Sequence, residues 1–117
     1  MNLLAPPEYF ALTPEAKADI CNGCGPLGWK GMLVPDDLLG ADITEPCNVH
    51  DYRYHCGGEE ADRFVADREF LSNMLNVAES DSFDSALEEV RRELALRYYC
   101  AVRDHGRSYF SFRQQAA

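Results

Sequence analysis

Cys47, His50, Asp51 and Tyr54 stand at i, i+3, i+4 and i+7. On a helix that spacing gathers them on one side. Inward-facing stripes are normally apolar, so one that carries an imidazole and a carboxylate needs a reason. The plain reason is a hydrogen-bonded core histidine beside a surface acid. The chemical reason depends on what faces the stripe. A histidine held at one ring nitrogen by a carboxylate offers the other nitrogen as a general base. A carboxylate beside converging backbone carbonyls offers the hard oxygen shell that calcium prefers.

The elements that must position these residues follow from local signals. Thr44-Glu45-Pro46 reads as a helix start, a hydroxyl cap with proline in the first turn, and Gly57-Gly58 as its stop. A second helix starts near Glu59 and runs to about Val77, with apolar positions Ala61, Phe64, Val65, Leu71, Met74, Leu75 and Ala78. Centring the turn between residues 58 and 59 sets His50 opposite Asp67 and Tyr54 opposite Arg63 and Phe64, within a turn of Asp67. Asp62 falls opposite His55, so Asp67 is the expected partner of His50. Adjacent helix residues point about 100° apart, so Asp51 looks past the histidine.

Asp51 would look toward residues 21 to 43, which hold Gly23, Gly25, Gly28, Gly31 and Gly40 with Pro26 and Pro35. Every local signal there reads as loop. Glycines let carbonyls converge because no side chain blocks the turn. Before it, Thr13-Pro14-Glu15 opens a short helix to about Ile20. After the hairpin, Ser80 to Ser82 interrupts the chain. A further helix then carries Leu87, Val90, Leu94, Tyr98 and Ala101 on one face. The tail beyond Gly106 carries Tyr109, Phe110 and Phe112, expected to fold back on the core. The expected fold is all-α, with residues 1–117 forming a single domain.

Taken in order, Cys24-Gly25-Pro26-Leu27-Gly28-Trp29-Lys30-Gly31, then Pro35-Asp36, then Cys47-Asn48-Val49-His50-Asp51-Tyr52-Arg53-Tyr54, resemble secreted-type phospholipase A2. That family has a glycine-rich calcium loop introduced by Cys-Gly and a helix carrying Cys-x-x-His-Asp-x-x-x-Tyr. An antiparallel helix supplies an Asp followed by Arg or Lys. Asp67-Arg68-Glu69-Phe70 matches that last element, with Phe70 placed as in the bacterial members. The resemblance covers about residues 21 to 75 and leaves the C-terminal helix as an addition.

The resemblance implies a small phospholipase A2-like fold and calcium-dependent hydrolysis of the sn-2 ester of glycerophospholipids. It makes His50 the general base, Asp67 its orienting partner and Tyr54 a donor to Asp67. It makes Asp51 the calcium ligand, together with the carbonyls of Gly23, Gly25 and Leu27, or Gly28 in place of Leu27 if the loop shifts by one. The Gly25 amide would help bind the oxyanion. Cys24 and Cys47 match two positions that form a disulfide. Leu27 stands where the family carries a glycine, and Arg53 where it carries a cysteine.

Two other functions compete. One is a catalytically inactive relative kept as a binding or structural protein. The other is a zinc-binding module, in which Cys21-x-x-Cys24 joins Cys47, His50, His55 and Cys56. Bulk properties exclude more than they select. A net charge of −9 argues against a nucleic-acid partner, which needs a basic face, and against docking on an anionic membrane by charge. A lipid ester at an interface remains the expected substrate. No stretch has the run of apolar residues that a transmembrane segment needs. The start, with Pro6-Pro7 and no positive n-region, does not read as a signal peptide, so the expected location is cytoplasmic.

Overall fold

Start and stop signals place most of the helices. The computed structural model describes residues 3–21, 37–80 and 84–113, and these are mostly helical. The helices are α1 (Pro7–Phe10), α2 (Pro14–Ile20), α3 (Thr44–Cys56), α4 (Glu60–Ser80) and α5 (Ser85–His105). A 3₁₀ turn follows at Arg107–Tyr109. Thr13 caps α2 as its sequence predicts, its hydroxyl accepting from the Ala16 amide at 3.1 Å. Asp84 caps α5 by accepting from Ala86 and Leu87. Among the described residues no helix is long and apolar enough to cross a membrane.

Several expectations need correction. The all-α reading omits a small antiparallel hairpin, β1 (Asp37–Leu38) and β2 (Ala41–Asp42), inside the segment read wholly as loop. Two-residue strands carry too little alternation to be seen in a sequence. Leu39 adopts φ 49° at their turn. Buried Arg91 of α5 ties the hairpin down, donating to the carbonyls of Leu38 at 2.8 Å and Leu39 at 2.9 Å. Thr44 is not the cap of α3 but its first residue, and the Asp42 carboxylate accepts its amide at 2.8 Å. The short α1 also went unread. It follows a start pinned by Asn73, whose side-chain amide bonds both polar groups of the Leu4 backbone.

On α4 Leu71, Met74 and Ala78 are buried and Leu75 packs against the core as expected, but the rest of the face differs. Phe64 and Val65 point outward and Ala61 is exposed, while Arg63, Ala66, Asp67, Phe70, Asn73 and Met74 point inward. On α5 Leu94, Tyr98 and Ala101 pack against the core as expected and Leu87 is half-buried, whereas Val90 is exposed and Arg91, Ala95 and Val102 are buried as well. The core lies between α3, α4 and α5, with Tyr54, Phe70, Met74, Val102 and Phe110 among its members. α4 runs back along α3 and α5 runs back along α4, as the pairs His50–Asp67 and Asp67–Arg103 require.

The turn between α3 and α4 demands its glycines. Gly57 has φ 68° and Gly58 φ 133°, conformations that side chains rarely adopt. A Cβ on Gly57 would also collide with the Ser111 carbonyl. The tail runs across this turn: Gly58 donates to Ser111 and accepts from Arg113, and Ser111 donates to the Tyr54 carbonyl. Phe110 is buried against Tyr54, edge to face at 5.1 Å. The tail thus folds back as expected, although Tyr109 stays exposed.

Candidate active site

His50 and Asp67 meet across the α3–α4 hairpin. Their contact, His50 Nε2 to Asp67 Oδ1, is 2.7 Å, and both side chains are fully buried. Tyr54, one turn along α3, donates its hydroxyl to the same Oδ1 at 2.7 Å. The imidazole stacks on Phe70 at 4.6 Å and lies 4.4 Å from the Tyr54 ring. These contacts set the ring's plane as well as its anchor. The glycine turn explains the register, since it fixes which residues of the two helices face each other.

Burial alone would push the Asp67 carboxyl up. The bond and charge of His50, then the bonds of Tyr54 and Arg103, outweigh burial and hold the carboxyl below its usual range. Asp67 is therefore ionised and can only accept. It follows that Nε2 of His50 carries the proton, and a neutral ring then presents its lone pair at Nδ1. That is the tautomer a general base needs. Burial, and then the charge of Asp67, push the Tyr54 hydroxyl up, so it remains a donor.

Two cations escaped the sequence reading of the site. Arg103 of α5 reaches Asp67 Oδ2 at 2.7 Å, and Arg63 reaches it at 3.5 Å. Arg63 was placed near Tyr54, and its Nη1 does donate to the Tyr54 hydroxyl at 3.3 Å, but its bond to Asp67 was not foreseen. The available signal was electrostatic: a carboxylate expected in the core implies a cation nearby. Gly106 closes this side. A Cβ there would stand 2.7 Å from the Tyr54 hydroxyl. Asp62, opposite His55 on the count, instead accepts from the Glu59 amide at the start of α4. Arg53, at the place of the family's cysteine, forms a two-pronged pair with Glu69, both bonds 3.0 Å, which links α3 to α4.

Asp51, next to His50 on α3, is buried. Its charge acts on Cys21: burial first, and then Asp51, push the Cys21 thiol up to about 11. The same thiol donates to the Asn48 carbonyl at 3.3 Å. The start of the glycine-rich segment is thus held against α3 beside Asp51. The other expected ligands, Gly23, Gly25 and Leu27 with Gly28 as the alternative, lie outside the described residues, as do Cys24 and Trp29.

The zinc arrangement meets an obstacle. Cys47 is disulfide-bonded, so it is not the thiolate zinc requires. Cys21, Cys56 and Cys100 are free thiols. Among the described residues no group of three or more His, Cys, Asp or Glu side chains could hold a metal. No family model matches the chain, and no curated protein or solved structure matches it.

Proposed function

We propose that this chain is a calcium-dependent hydrolase of the sn-2 ester of glycerophospholipids, built on a phospholipase A2-like fold. The observation that carries the reading is the buried His50–Asp67 pair with the Tyr54 hydroxyl on the same carboxylate oxygen. Asp51, buried one residue further along α3, supports it.

His50 takes a proton at Nδ1 from a water molecule, and that water attacks the ester carbonyl. Asp67 keeps the ring in the Nε2–H tautomer and stabilises the imidazolium as it forms. The proton then goes to the departing glycerol oxygen, and the fatty acid is released with no covalent enzyme intermediate. Asp51 would hold the ion together with the carbonyls of Gly23, Gly25 and Leu27. Calcium bound there supplies polarisation of the ester carbonyl and positive charge for the oxyanion. The Gly25 amide would add a hydrogen bond to the same oxyanion.

The test is fatty-acid release from mixed phospholipid micelles in millimolar calcium and again in chelator. Release that requires calcium supports the reading. No release in either condition sinks it and leaves a scaffold with a binding role.

A further inference from the structure

The two oxygens of the Asp67 carboxylate have different partners. Oδ1 takes the His50 ring and the Tyr54 hydroxyl, each at 2.7 Å. Oδ2 takes two guanidiniums, Arg103 at 2.7 Å and Arg63 at 3.5 Å. The longer contact is at the outer limit of a hydrogen bond. Arg63 is also divided among Glu60, the Tyr54 hydroxyl and the carbonyls of Val102 and Arg103. The close bond to Oδ2 is therefore the one from Arg103, in the last turn of α5.

The terminal torsion of an aspartate is broad and roughly two-fold. Held at one oxygen, a carboxylate can turn and change the direction of the bond it accepts. Held at both, its plane is fixed. We infer that Arg103 is a positioning residue: by anchoring Oδ2 it fixes the Asp67 plane, and with it the direction in which Oδ1 holds His50. The inference rests on the reading of His50 as the general base. Arg103 is itself steadied, by Glu60 at 3.5 Å and by the Phe64 ring 5.4 Å from its guanidinium. Arg63 shares α4 with Asp67, whereas Arg103 ties the dyad to a third helix. The C-terminal helix is thereby a working part of the site.

The experiment compares the full-length chain with Arg103→Gln and Arg103→Lys in two readouts. The first is the ring-nitrogen spectrum of labelled histidine, with His50 assigned by the signals that His50→Gln removes. The second is the kcat and KM of calcium-dependent fatty-acid release. In the parent protein the two His50 nitrogens give widely separated signals, one protonated and one not. In Arg103→Gln the signals draw together as tautomers mix. kcat falls roughly 10- to 100-fold, as expected for a misplaced base, with KM little changed. Arg103→Lys keeps the charge and stays closer to the parent in both readouts.

Unchanged His50 signals in a folded Arg103→Gln variant overturn the inference. So does an Arg103→Lys variant as impaired as Arg103→Gln. If the parent releases no fatty acid yet its His50 signals respond to Arg103→Gln, the phospholipase reading fails and the positioning role stands. Should Arg103→Gln not fold, the double variant with Asp67→Asn removes the charge that lost its partner. Recovery of the helical circular dichroism supports the coupling, and failure to recover overturns it.

Discussion

Glu45 and Asp67 both gather donors from several elements, in very different surroundings. Glu45 takes the Tyr9 hydroxyl, Lys17 and the Asn48 amide, each at 2.8 Å, and ties α1 and α2 to α3. Its side chain is 42% exposed. Asp67 takes His50, Tyr54, Arg63 and Arg103, and its side chain is 0% exposed. Both carboxyls are held below their usual range against burial, Glu45 by Lys17, Asn48 and Tyr9, and Asp67 by His50, Tyr54 and Arg103. At the surface, water replaces a lost partner. In the core nothing does, so geometry there is enforced and mistakes are costly. That difference lets one hub fix an imidazole while the other only fastens helices.

The comparison breaks most readily at Asp67. Asp67→Ala leaves Arg63 and Arg103 facing a void, and is expected to cost about 3–5 kcal/mol in urea unfolding. Against a total of roughly 5–15 kcal/mol for a domain this size, that approaches unfolding. A cost equal to that of Glu45→Ala would erase the distinction between the hubs.

Acid should expose the same asymmetry. Asp67 has a depressed folded pKa, so its contribution is fully present above the unfolded value of about 3.9. It is lost as the pH falls through the lower, folded value. The thermal midpoint should hold until about pH 4 and then drop. In Asp67→Asn, if folded, that drop should be shallower, and an equal drop would place the acid sensitivity elsewhere.

Tyr54→Phe removes one donor from Oδ1 and one acceptor from Arg63. Its expected cost is about 1–2 kcal/mol in urea unfolding, with hydrolysis weakened but present. Glu45→Gln should matter least, within about 1 kcal/mol by thermal melting, because its ion pair with Lys17 is partly solvated.

The His50–Asp67 pairing was legible because two glycines fix the turn, and a fixed turn fixes helical register. A capping threonine with proline gave α2, a first-turn proline marked α3, and the glycine pair gave its stop, all local signals. The inward face of α4 was legible at Leu71, Met74 and Ala78 but not in the half nearer the turn or at its polar positions. A hydrophobic pattern assigns Phe64 and Val65 to the core and leaves Arg63 and Asn73 outside, whereas Arg63 turns inward to the site's polar network and Asn73 to the Leu4 backbone. Arg103 was missed because nothing local marks a cation whose partner lies 36 residues away in the chain. Arg91 was missed on α5 for the same reason: its partners are hairpin carbonyls 52 and 53 residues away.

The most direct test of the central claim sets the parent beside His50→Gln and Asp51→Asn. Fatty-acid release and calcium binding by calorimetry are measured on all three. The account predicts that His50→Gln abolishes release and leaves calcium binding intact, while Asp51→Asn weakens calcium binding itself. Full activity in His50→Gln would contradict it, because the base would then be some other group.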